Sequence, residues 1–301
     1  MAGALAWQRT NFRVVIDELF VGPPFDEDPT NQAPLTASDL QDFQPTGFVG
    51  LAYFNGPWTV GLSYRPPLSW TDEGDLDIEI PEGYQDLVSR NGNGLTFSTN
   101  AAGSLRAGVD YGYGEHPGRP TEPLFDVELN VVWEDWSRVD FFTIAPQATL
   151  DIAGSPQPLF DVYQPKRWQD TYSFRLGGSY GPLEWLTLHG GGSYETAAQD
   201  EAATNTDFVS WERITGSAGV TVHATDWVDL SLGYAYTYSG SRTVTNGQVF
   251  QQIPVSGCVG PDFTADACQT PGTPPGNPQN NGEWSAAFQI ISFGTTFKFD
   301  P

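Results

Sequence analysis

At 301 residues the chain is long enough for one large β domain or two ordinary ones. Its 37 acidic residues against 13 basic ones give a net charge of -24, which excludes a nucleic-acid partner for want of a cationic footprint. No run approaches the roughly 18 apolar residues of a spanning helix, but a mean hydropathy of -0.33 does not exclude a membrane protein, because a barrel hides its apolar residues at alternate positions.

The opening "MAGALAWQRTNFRVVIDELF" lacks the basic n-region and apolar h-region of a secretory signal. Either the chain stays in the cytoplasm or its true beginning is missing. Strands are expected near 10–20, 46–55, 57–68, 94–113, 124–145, 170–180, 184–196, 208–223, 226–240 and 283–299, about ten and an even number. In "WTVGLSYR" (58–65), Trp58, Val60, Leu62 and Tyr64 share one face, and Thr59, Ser63 and Arg65 the other. "SLRAGVDYGY" (104–113) sets Leu105, Val109, Tyr111 and Tyr113 against Arg106 and Asp110. "NAAG" (100–103) reads as a bulge or kink inside one long strand, or as a true turn. "LFDVELNVVWED", "TYSFRLGGSY", "EWLTLHGGGSYE" and "RITGSAGVTV" repeat the pattern. In "DWVDLSLGYAYTY" (226–238) the even positions are Val, Leu, Leu and three Tyr, while the odd ones are mostly small or polar. Period-two alternation is the strand signal. At about ten residues per strand, with aromatics near the ends, it fits a transmembrane barrel better than a soluble sandwich.

Connections alternate between tight turns ("NGP", "GPLE", "ATD") and long polar stretches at 69–93, 151–169, 196–207 and 239–282. The last four are expected to be outer loops, and both chain ends then lie on the periplasmic side. The acidic run "DEGDLDIE" (72–79) reads as a solvated outer loop without calcium-loop spacing. Cys258 and Cys268, in a Gly/Pro/Asn-rich loop, can close a disulfide in an oxidising compartment; two free thiols or a metal pair are the alternatives.

Strand parity aims Arg65, Arg106, Arg175 and Arg213 at the lumen, where Asp110, Asp126, Glu128 and Glu134 can brace them. The same arginines are the candidates for holding a carboxylate headgroup. "PLFDVYQPKRW" (158–168) adds Lys166, Arg167 and Trp168, a basic aromatic loop that could greet an amphipathic anion or lipopolysaccharide. No catalytic set is expected. His116, His189 and His223 have no Ser/Asp pair near them in sequence, and "HGGGS" is not followed by the Lys-Ser/Thr of a phosphate loop. No metal or other cofactor is expected.

"SFGTTFKF" places Ser292, Gly294, Phe297 and Phe299 in an arrangement that resembles the C-terminal insertion signal of bacterial outer-membrane barrels, with Asp300 and Pro301 as extra residues. "VELNVVWEDWSRVDFFTI", "WQDTYSFRLGGSYGPLEWLTLHGGGSYE" and "ITGSAGVTVHATDWVDLSLGYAYTY", with the hairpin "GLAYFNGPWTVGLSYRPPLSW", resemble the FadL/TodX family of outer-membrane transporters for fatty acids and other hydrophobic compounds. The resemblance implies an all-β antiparallel fourteen-strand barrel with an N-terminal hatch. The present chain would then be the C-terminal portion, a single domain over 1–301 with about ten strands, the hatch and first strands missing, and a long extracellular loop at 239–282. It also implies passive uptake in a Gram-negative outer membrane. Implied partners are hydrophobic small molecules such as fatty acids, outer-membrane lipids, lipopolysaccharide and the barrel-assembly machinery, with the protein a monomer. A general diffusion porin and a structural or adhesive barrel remain the alternatives.

Overall fold

The computed structural model describes residues 2–16, 30, 33–119, 121–139, 141–159, 161–205, 208, 210–249, 278 and 280–298. The strands, in chain order, are β1 (Ala2–Ile16), β2 (Ala33–Asn55), β3 (Trp58–Arg65), β4 (Leu68–Ile78), β5 (Val88–Ala101), β6 (Ser104–Tyr113), β7 (Phe125–Glu134), β8 (Phe141–Ile152), β9 (Ser155–Pro158), β10 (Val162–Pro165), β11 (Thr171–Leu183), β12 (Leu186–Glu195), β13 (Arg213–Thr225), β14 (Val228–Val244) and β15 (Gly282–Phe297). All pairings are antiparallel within one sheet. Among the described residues no helix is long and apolar enough to cross a membrane.

Thirteen of the fifteen strands form ten columns, with β9 and β10 on the edge beside β8. β3 and β4 are one column broken at Pro66–Pro67, since both pair with β2 on the same edge. β6 continues into β5 across Ala102–Gly103, and β7 into β8 across 135–140. The wall therefore runs β1-β2-β3-β6-β7-β11-β12-β13-β14-β15, with β4, β5 and β8 rising above it as an extension edged by β9 and β10. The expected number of about ten holds for the columns rather than for the strands, and the break at 100–103 divides one long path into β5 and β6 rather than turning the chain back. Among the described residues β1 and β15 are the two edges, and the sheet does not close on itself.

Register explains the two faces of the wall. Phe125, Tyr180, Leu188, Val220, Leu232 and Phe293 form an unbroken outward row over six strands. One residue away, Gly112, Asp126, Ser179, His189, Gly219, Gly233 and Ser292 form the inward row. The outward row has no second layer over it, and Phe293 is 83% exposed.

The extension has the opposite polarity. Leu35, Ala37 and Leu40 of β2, Leu76 and Ile78 of β4, Val88, Leu95 and Phe97 of β5, and Ile144, Ala148 and Leu150 of β8 are packed into one buried core. Its outside carries Glu73, Asp75, Asp77 and Glu79, all exposed. β2 links the two regimes without a break: Leu40 faces the core, and the even-numbered residues below it, through Gly50 and Ala52, stay on that same inner side.

Four expectations are corrected here. Residues 69–93 are not an open loop but the β4–β5 hairpin, and 72–79 lie almost wholly in β4. The stretch 151–169 contains β9 and β10. β2 begins at Ala33 rather than 46, because a bulge at Asp39, in the left-handed region at φ 55°, resets its alternation. β4 can pass this bulge only as Gly74, since a Cβ there would sit 2.5 Å from the Ser38 carbonyl oxygen. β14 runs on to Val244, so the 239–282 stretch starts as strand; Cys258, Cys268 and Phe299 lie outside the described residues.

Candidate functional site: the inner face of the wall

Small residues open the inner face. Gly61, Gly108, Gly177, Gly191, Gly219 and Gly233 alternate there with Ser and Thr, leaving space against the backbone. Two adjoining hollows result. One of 430 Å³ is lined by Ser63, Arg106, Asp110, Glu128 and Asn130. The other, of 710 Å³, includes Glu128, Asn130, Arg175, His189, Ser193 and Thr215. Glu128 and Asn130 border both, so the hollows form one polar track. A further hollow of 1060 Å³ has mostly apolar side chains around it, among them Phe125, Val127, Phe174 and Tyr180 of the outward face.

All four parity-assigned arginines lie on this track or at its ends, but in different states. Arg213 forms an ion pair with Glu195 on β12. Arg65 donates to the Ala102 carbonyl at 3.1 Å, across the break between β5 and β6. Arg106 and Arg175 are exposed to the hollows and have no ion pair among the described residues. The expected bracing by Asp110, Asp126, Glu128 and Glu134 is not found there. Asp126 instead accepts from the Ser179 amide and hydroxyl, Glu128 from Asn130 at 2.6 Å, and Glu134 from the Trp136 indole at 3.1 Å. Asp126 is thus held from the neighbouring strand, and Glu128 and Glu134 by side chains two residues further along the chain.

The basic loop is a packing element rather than a free surface. Lys166 is 1% exposed, its Nζ 4.3 Å from the Phe142 ring centroid and 5.2 Å from that of Phe208. Trp168 meets Trp136, Phe142 and Phe208 edge to face. A cation above aromatic faces gains about 2 kcal/mol when desolvated. Arg167 remains exposed and donates to Gln248.

The tryptophan-rich motif and the Asp-Thr-Tyr motif meet in space. Asp170 accepts from the Trp133 indole at 3.1 Å and from the Ser137 amide at 3.2 Å. Burial alone would raise its pKa, but hydrogen bonds from Ser137 and Trp133 hold it below the ordinary value. Asp135 accepts from the Gly103 amide and pairs with Arg138 at 2.6 Å. These contacts pin the junction where β7 leaves the wall for the extension.

At the opposite, turn end lies a polar cluster that no motif announces. His116, Thr187, His223 and Asp229 converge, although they are spread over more than a hundred residues. Only the pairing register could reveal this.

An antiparallel wall with an uncovered apolar exterior, a polar interior and a water-facing extension defines an outer-membrane β-barrel wall. Residues 119–267, just under half of the chain, match the model of the family described as outer membrane protein transport protein (OMPP1/FadL/TodX). A Pseudomonas aeruginosa FadL homologue matches with a TM-score of 0.67 at 13% identity, over 99% of this chain and 64% of that one. The Pseudomonas putida toluene transporter TodX matches with a TM-score of 0.52 at 15% identity, over 80% and 59%. The chain thus spans less than two thirds of these relatives. No curated protein matches in sequence.

Proposed function

We propose that the chain forms the wall of a passive channel for hydrophobic small molecules, and that its cargo carries an anionic head, as a long-chain fatty acid does. The observation that carries this reading is the pair Arg106 and Arg175, which face the inner hollows without an ion pair among the described residues. A carboxylate between them would gain charge-assisted hydrogen bonds worth about 1.5–3 kcal/mol each. An uncharged aromatic hydrocarbon, the cargo named for TodX, gains nothing there. The match of residues 119–267 to the family model and the polarity reversal along β2 support the channel itself.

Ser292 and Gly294 near the end of β15, with Phe297 stacked on Trp227 at 6.2 Å, support this strand as the one presented to the assembly machinery. The test of cargo is binding of a long-chain fatty acid and of the matching alcohol to the purified protein. The acid should bind better, and Arg106→Gln with Arg175→Gln should remove that preference, roughly tenfold or more. Equal binding of acid and alcohol by the unaltered chain would exclude the headgroup site.

A further inference from the structure

The smaller inner hollow, of 430 Å³, has a bare floor and two rims of unlike charge. The floor is a row with little or no side chain. Ala52 of β2, Gly61 of β3 and Gly108 of β6 lie side by side in the register. A Cβ placed on Gly61 would meet nothing within 4 Å, so the floor is open there.

Two residues toward the extension, Ser63 and Arg106 pair across β3 and β6 and form the upper rim. Two residues toward the turn end, Thr59, Asp110 and Glu128 pair across β3, β6 and β7 and form the lower rim. Each such step is about 7 Å along a strand, so the rims stand roughly 14 Å apart at the backbone. Gly108, midway between Arg106 and Asp110, puts no side chain of its own into the gap.

The protein does not pair these rims with each other. Neither Arg106 nor Asp110 forms an ion pair among the described residues. Glu128 accepts from the Asn130 amide at 2.6 Å. The Asn130 amide oxygen then lies over Gly108, where a Cβ would collide with it. An acceptor therefore sits between the basic rim and the acidic one.

A lone carboxylate at Arg106 would share this hollow with Asp110 and Glu128, and would find only repulsion on the lower rim. A molecule with an anion at one end and a cation at the other complements both rims and adds no net charge. The lower rim also selects the kind of cation. It offers acceptors, in the Thr59 hydroxyl, the two carboxylates and the Asn130 oxygen, and no aromatic ring lines the hollow. Acceptors suit an ammonium that bears N–H groups, whereas a quaternary ammonium is held by aromatic faces.

We propose that this hollow binds a zwitterionic headgroup, with its oxyanion on Arg106 and its N–H-bearing ammonium on Asp110 and Glu128. The inference rests on the headgroup reading of the cargo and narrows it: the head carries a cation as well as an anion, on a hydrophobic tail.

Binding of three twelve-carbon probes to the full chain in amphipol tests it: N-dodecyl-β-alanine, dodecanoate and dodecanol. The zwitterion should bind about tenfold or more tighter than dodecanoate. Asp110→Asn should remove that advantage and leave dodecanoate binding no weaker. Gly61→Val puts a side chain into the open floor and should abolish binding of the zwitterion, while heat-modifiable mobility on gels shows that the variant still inserts. The site is overturned if the unaltered chain binds the zwitterion no better than dodecanoate. It is equally overturned if the advantage survives Asp110→Asn or Gly61→Val. Dodecanol separates this inference from the reading beneath it. Dodecanoate no better than dodecanol removes the earlier reading, whatever the zwitterion does. A zwitterion no better than a dodecanoate that itself outbinds dodecanol removes this inference alone.

Discussion

The wall and the extension are built from the same strands, yet their apolar side chains face opposite ways. In the wall, Leu51 and Tyr53 of β2 point outward and Gly50 and Ala52 inward. Higher on β2, Leu35, Ala37 and Leu40 point inward. The solvent outside changes along the strand, from hydrocarbon to water. The sheet gives each face the chemistry of its own surroundings. The changeover lies between Leu40 and Val49 on β2, at Pro66–Pro67 between β3 and β4, and at Ala102–Gly103 between β5 and β6. The level where polarity inverts therefore marks the outer surface of the membrane.

A charge on each exterior is the sharpest way to break this comparison. Leu232→Arg sits in the outward row of the wall and should cost about 2–4 kcal/mol near mid-membrane. The expected outcome is loss of the heat-modifiable, membrane-inserted form on gels. Glu73→Arg, on the outside of the extension, should change stability by no more than about 0.5 kcal/mol. If both behave alike, the inversion is not real.

Core truncation acts the other way round. Phe97→Ala removes a buried ring from the extension and should cost about 3–5 kcal/mol there. Limited proteolysis should then cut within 68–101 while the wall stays inserted. Loss of insertion itself would mean that extension and wall fold as one cooperative unit.

Asp72 gives a subtler contrast. It lies among the core-facing residues of β4, and burial, with the Asp42 charge nearby, raises its pKa above 3.8. The ionised form is thus disfavoured in the folded extension, whose stability should fall as pH rises from about 3.8 through the raised value and level off above it. Asp72→Asn should flatten this dependence in a proteolysis series across pH, with no effect on the wall. The smallest effect expected is for Arg213→Gln in the wall. Its pair with Glu195 is partly exposed and should contribute under about 1 kcal/mol, read as a slight shift in thermal unfolding.

The wall was legible in the sequence because a strand that separates oil from a lumen must alternate strictly. Val228, Leu230, Leu232 and Tyr234 could sit on one face only in that structure. The extension was not legible. There Glu73, Asp75 and Asp77 alternate with Leu76 and Ile78, and the bulge at Asp39 breaks the phase, so the acids dominated the reading and suggested an open loop. The arginines were placed on the right face by parity. Which of them is tied and which is free depends on cross-strand neighbours such as Glu195 and Ala102, which no spacing encodes.

By itself, then, the sequence determined the period, the two faces of the wall and the number of columns, because these follow from local alternation. Only the tertiary structure decided where polarity inverts, that Lys166 is buried among aromatic rings, and that His116 of one connection meets His223 of a strand over a hundred residues away. Those outcomes depend on register and on the inward path of a loop, and both are set by contacts between segments rather than by any segment alone.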